Sequence, residues 1–172
     1  MAVPLTQLGR EEARRLGDAL LDEPIELCVT SQFQRARETA DIALAGRDVP
    51  RLVVPELNDP LVGCYEGAAL TDYRTWAHAS ASSVAPADGG ESRIAIVTRY
   101  ARGFRLLLER PEKSILAVCH SLPVAYALAA REGREPTVNV PIVDHATPYP
   151  FTRDELDRAT TLLEEWVAAP TW

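Results

Sequence analysis

His120 interrupts the stretch SILAVCHSLPVAYAL (114–128), which is otherwise almost wholly apolar. It is one of three histidines in 172 residues, and a charge-capable ring at this point is a candidate for chemistry. The residues before it read as a buried strand and those after it as a helix with Pro123 in its first turn. A ring at such a junction lies beside free helix N–H groups, which attract anions. Cys119 is not its partner by adjacency, because neighbouring strand residues point to opposite faces. A second group of chemical residues lies in TSQFQRARETA (30–40), between another strand and another helix. Arg35 and Arg37 are two apart and cannot both face inward. Arg35 lies closer to the strand end and is better placed to offer its fork to a phosphate. A third group, PELNDPLVGCYEG (55–67), carries Asp59 and Glu66 in a Pro/Gly loop. Either carboxyl can serve as a proton donor if its pKa is raised.

The elements that must carry these groups alternate along the chain. Thr6 caps a helix through QLGREEARRLGDALL, IELCVTS (25–31) is a strand, and QRARETADIALAG (34–46) is a helix closed by Gly46. RLVVPEL is a brief strand stopped by Pro55, and ASASSVAPADGG (79–90) is a surface excursion. SRIAIVTRYARGFRLLLER (92–110) is a helix with Ile94, Val97, Ala101, Phe104 and Leu108 on one face. SILAVC is a strand, LPVAYALAAREG a helix ending at Gly133, and TVNVPIVDH (137–145) a last strand. A final helix opens with a capping box, Thr152 to Glu155, and buries Leu156, Leu162 or Leu163, and Trp166. Short apolar strands alternating with helices imply a three-layer α/β/α arrangement around a mostly parallel sheet. Ligands of such sheets sit at the carboxyl ends of the strands, where His120 and Arg35 fall.

Bulk properties narrow the function. A chain of 172 residues suits one domain, 1–172, with a sizeable core. The net charge of −7 disfavours nucleic acid and anionic membranes as partners, but leaves room for a small anion held by two or three local cations. No apolar run is long enough to span a bilayer and no leader-like pattern follows Met1, so the expected location is cytoplasmic. Three scattered cysteines, Cys28, Cys64 and Cys119, do not make a disulfide framework.

The segments SQFQRARETA, LNDPLVGCYEG, GGES and ILAVCHS occur in the order and spacing of the histidine phosphatase superfamily, whose members resemble cofactor-dependent phosphoglycerate mutase. PLTQLGREEARRLGDAL is also similar to that family's first helix, and the resemblance covers essentially the whole chain. It implies the phosphoglycerate mutase-like sheet and a reaction through phosphohistidine, with neither metal nor organic cofactor. By resemblance, His120 matches the histidine that donates to phosphoryl oxygens, and Arg35 matches the arginine that grips the phosphate. Asp59 matches the acid that protonates the leaving alcohol. Ser121 stands where glycine often follows that histidine, and its backbone N–H remains available to phosphate.

The sequence departs from the family in one respect that matters most. No Arg-His dipeptide occurs, so the nucleophilic histidine and the strand that carries it are missing. By resemblance that strand lies between the one ending at His120 and TVNVPIV, and its absence leaves strand edges open to self-association. His78 and His145 sit in non-matching contexts. The expectation is a longer protein, starting upstream of Met1, that hydrolyses a small phosphomonoester. The rival is a catalytically silent member that binds inorganic phosphate or a protein. A mutase role is disfavoured by the short GGES region, and a hydrolase using Cys64 requires that thiol to converge on His120. The three histidines have no metal-ligand spacing.

Overall fold

The computed structural model describes residues 3–172; Met1 and Ala2, where the sequence shows no leader pattern, lie outside the described residues. Helix α1 (Gln7–Ala19) begins at Thr6, whose hydroxyl accepts from the Gly9 N–H. Strand β1 (Leu27–Thr30) is buried at every position and occupies the centre of the sheet. Helix α2 (Gln34–Ala43) returns to strand β2 (Arg51–Val53), and Pro55 ends β2 in a 3-10 turn. A second 3-10 turn, Gly63–Tyr65, precedes α3 (Leu70–Ala79). Helix α4 (Arg93–Leu108), strand β3 (Ile115–Val118), α5 (Ser121–Arg131) and α6 (Arg153–Ala168) complete the chain.

The sheet has three parallel strands in the order β2-β1-β3. Its register places Thr30 level with Val53 on one side and Val118 on the other, so all three strands end together. Leu27 and Val29 point into a core with Val97, Phe104, Tyr126 and Leu163, supplied by α4, α5 and α6. Cys28 points the other way, onto Ala36 and Ala40 of α2 and Leu44 just past its end. Helix α1 covers α2 through Leu16, Leu20 and Ala43. Gly17 permits this approach, since a Cβ there would lie 2.8 Å from the Ala43 carbonyl oxygen. The two faces are thus covered by different helices, as alternating elements require.

Most local signals hold. The capping box of Thr152 and Glu155 forms, and α5 closes at Gly133 with Arg134 N–H donating to Ala129 O and Gly133 N–H to Ala130 O. On α4 the buried stripe is wider than the expected face, because Ile96, Tyr100 and Leu107 are buried while Ile94 and Leu108 are only partly so. One expectation fails. TVNVPIVDH is irregular, and among the described residues nothing pairs with the outer edge of β3. A strand there needs a neighbour in the slot beside β3, and Pro141 removes one of its own donors. Helix α3 was not among the expected elements; Tyr73 and Ala77 are buried one turn apart on it, and Tyr65, Tyr73 and Trp76 pack ring on ring. Among the described residues, no helix is long and apolar enough to cross a membrane.

Candidate active site

The common end of the three strands gathers the chemical residues. Beyond β1 come Ser31 and then Arg35 in the first turn of α2. Beyond β2 comes Asp59, and beyond β3 comes His120, the residue that precedes α5. Backbone hydrogen bonds carry the ladder to this rim, with Ser31 N–H donating to Val118 O at 3.2 Å and Val54 N–H to Thr30 O at 2.8 Å.

Arg35 joins the other two. Its Nη2 donates to Asp59 Oδ2 at 2.6 Å and to His120 Nδ1 at 3.1 Å. A guanidinium only donates, so Nδ1 is an acceptor and the imidazole proton resides on Nε2. Nε2 then donates to Ser31 Oγ at 2.8 Å, and the same oxygen accepts from the Phe33 N–H. Phe33 packs edge-on against His120, with ring centroids 4.8 Å apart, and lies 4.4 Å below the Arg35 guanidinium. The imidazole is thus fixed on both nitrogens and one edge.

Burial, together with the positive charges of Arg35 and Arg99, pushes the His120 pKa down to about 3. The ring is therefore neutral near neutrality, and its 3.7 Å approach to Asp59 is a contact of a neutral ring, not an ion pair. Burial also raises the Asp59 pKa and outweighs the opposing pull of Arg35. Asp59 is still 39% exposed at its side chain, so it faces the solvent side of the cluster.

Free N–H groups face the same rim. The His120 side chain caps nothing on α5, which leaves the N–H groups of Ser121 and Leu122 without helical acceptors, and Pro123 has none. Helix α2 likewise starts at Phe33 without a side-chain cap. Two helix N-termini and one arginine make this rim attractive to a tetrahedral anion.

Of the residues singled out in the sequence, Arg35, Asp59, His120 and Ser121 come together. Arg37 is exposed, and so are Glu66, His78 and His145. Cys64 is exposed on the Gly63–Tyr65 turn and is not among the hydrogen-bond partners of His120. Burial pushes the Cys119 thiol up to about 12 and, against the nearby Arg51, the Cys28 thiol up to about 11, so neither supplies a thiolate. Among the described residues, no three His, Cys, Asp or Glu side chains cluster as a metal site. Sequence reasoning missed Ser31 and Phe33, although both lie in the quoted TSQFQR stretch at the strand end.

Residues 1–147 match a family model described as histidine phosphatase superfamily, branch 1. The chain belongs to the histidine phosphatase superfamily. Its similarity to an adenosylcobalamin/α-ribazole phosphatase of Salmonella typhimurium is 38% identity over 82 residues, 48% of this chain and 39% of that protein. A relative of the same description in Escherichia coli K12 is 36% identical over 63 residues, 37% of this chain and 31% of its own. The chain thus spans under half the length of the curated relatives it matches. Among solved structures of the superfamily, the α-ribazole phosphatase of Shigella flexneri superposes with a TM-score of 0.65 at 27% identity, covering 78% of this chain and 70% of its own. YhfR of Bacillus stearothermophilus gives 0.66 at 26% identity, covering 88% and 76%.

Proposed function

We propose that this site is the phosphate-binding half of a phosphomonoester hydrolase that works through phosphohistidine. The observation that carries the reading is the Arg35 fork, shared by Asp59 and His120 at the common end of three parallel strands. An incoming phosphate displaces both from Arg35. Arg35, the Ser121 N–H and the protonated His120 then hold the non-bridging oxygens. A nucleophilic histidine, supplied by a segment outside these 172 residues and docked along the free edge of β3, forms the N–P bond. As the ester P–O bond breaks, the leaving oxygen takes its proton from Asp59. The Asp59 carboxylate then takes a proton from water, whose oxygen attacks phosphorus and releases inorganic phosphate and the free histidine.

Loss of Arg35 as a partner raises the Asp59 pKa further, so substrate binding itself prepares the acid. The substrate class is a small phosphomonoester. The relatives' descriptions make α-ribazole phosphate the first compound to assay. The test is an acid-quenched reaction of the protein from its native source with a labelled phosphomonoester. Acid-labile phosphoprotein together with alcohol release supports the reading; neither, with no affinity for inorganic phosphate, overturns it.

One observation favours a second reading. The sequence contains no Arg-His dipeptide, as expected of a catalytically silent member that retains Arg35 and His120. That member binds inorganic phosphate and releases no alcohol. Intact mass and N-terminal sequence of the native protein separate the two readings before any kinetics.

A further inference from the structure

The loop that carries Asp59 leaves β2 through a 3-10 turn and has no regular structure of its own around the carboxylate. Its position is set from α4. Arg99 donates through Nη1 to Glu56 O at 2.8 Å and to Asn58 O at 2.9 Å. The other edge of the same guanidinium meets Glu91 as a two-pronged pair, Nε to Oε1 and Nη2 to Oε2, each at 2.8 Å. Glu91 in turn grips Leu61 twice, its Oε2 accepting from the Leu61 N–H and its own N–H donating to Leu61 O. The backbone is therefore held at 56 and 58 before Asp59 and at 61 after it. Both charged side chains are mostly buried, at 21% and 18% exposure, so the pair is shielded from solvent competition. On the far side, the Asn58 side chain accepts from the Gln32 N–H and donates to Gln32 Oε1, beyond β1.

Resting on the reading of Asp59 as the proton donor, we propose that Arg99 and Glu91 are positioning residues that suspend the Asp59 loop over the phosphate site. Arg99 satisfies two backbone carbonyls and one carboxylate with a single planar group. Lysine cannot reproduce this, because an ammonium is a point charge and not a fork. Arg99 is also one of the positive charges that act on both Asp59 and His120. Its loss therefore changes geometry and field together, whereas Arg99→Lys keeps the field and loses the geometry.

The experiment compares Arg99→Met, Arg99→Lys, Glu91→Gln and Asp59→Asn. An alkyl phosphate, whose leaving alkoxide needs a proton, is set against p-nitrophenyl phosphate, whose leaving group does not. Asp59→Asn and Arg99→Met are expected to lower kcat/KM, which ends at formation of the phosphohistidine and does not include the later base step, by about 100-fold on the alkyl ester and by under about 5-fold on the aryl ester. Affinity for inorganic phosphate stays within about 3-fold, and Glu91→Gln and Arg99→Lys fall between. If Asp59→Asn shows this asymmetry and Arg99→Met does not, the proposal is overturned while the role of Asp59 stands. If Asp59→Asn shows none, the role of Asp59 falls and the proposal falls with it.

A second readout needs no turnover. Amide exchange across 58–62, followed by mass spectrometry, accelerates at least about 10-fold in Arg99→Met and Glu91→Gln, with α4 and α6 unchanged. Unchanged exchange in that loop overturns the proposal. Glu91→Gln serves where Arg99→Met fails to fold, because its single amide oxygen cannot accept from both prongs of Arg99 and from the Leu61 N–H as the carboxylate does.

Discussion

On the proposed reading, anion binding at this site is expected to be coupled to proton uptake by His120. In the free protein, Nδ1 accepts from Arg35 and cannot also donate to an anion. An anion that draws Arg35 away frees Nδ1, and a dianion beside it favours imidazolium. With a pKa of about 3, charging the ring at pH 7 costs ~5 kcal/mol, from about 4 units at 1.36 kcal/mol each. A dianion centred ~4 Å from the ring returns ~8 kcal/mol at an effective dielectric constant of about 20. The second quantity exceeds the first, so close to one proton is taken up for each anion bound. Sulfate is the probe of choice, because it remains a dianion throughout the neutral range and contributes no proton of its own. Titration calorimetry at pH 7 in buffers of different ionisation enthalpy yields the proton count. Nitrogen-15 shifts of the three imidazoles locate the proton, since His78 and His145 are exposed and His120 is not. Uptake that persists in Asp59→Asn and a His120 ring that becomes doubly protonated are the expected results. Sulfate binding without proton uptake, or with His120 remaining neutral, refutes the argument.

Three further outcomes follow from the same geometry. Arg35→Ala removes the side chain that joins Asp59 to His120 and weakens sulfate or phosphate binding by ~2 kcal/mol or more, about 30-fold; an affinity within about 3-fold of the parent counts against the site. Because the His120 pKa is lowered in the fold, the unfolded chain binds more protons below about 6.5; the stability from this residue is whole above that pH and lost as pH falls toward about 3. At pH 5 the loss is ~2 kcal/mol, and urea titrations at pH 7 and pH 5 should show it shrink in His120→Gln; equal pH dependence in both proteins contradicts the shift. Arg93 is 9% exposed, and its Nε lacks a partner. Its remaining contacts are a 3.4 Å hydrogen bond to the Tyr126 hydroxyl and the Tyr73 ring. Among the described residues no carboxylate pairs with it, so Arg93→Met is neutral or raises Tm, by the equivalent of ~1 kcal/mol. A loss above ~2 kcal/mol would show that the guanidinium is better satisfied than its contacts indicate.

What the sequence revealed, and what it hid, follows from the range over which each interaction acts. Thr6, the Thr152–Glu155 box and Gly133 were legible because a cap and its partner lie within one helical turn. Arg35 and His120 were legible because strand-to-helix junctions concentrate free N–H groups whatever the rest of the chain does. Arg99 was not. On α4 it reads as one more charge beside a wide apolar stripe, and its acceptors at Glu56 and Asn58 lie 43 and 41 residues away. Ser31 was missed for the same reason, since its partner on His120 is 89 residues distant.

The segment 137–145 shows the converse failure. Its alternation of Val and polar residues carries a strand signal, but a strand is a property of a pair, and pairing needs a neighbour. Beside β3 the described residues offer no neighbour, and the segment stays irregular with Ile142 exposed. The same open edge of β3 lies next to His120, where the proposed nucleophile would enter. On the proposed reading, segment and site depend on the same neighbour along β3. A strand added along β3 is expected to order 137–145 and to bring a nucleophile toward Arg35 and His120 in a single step.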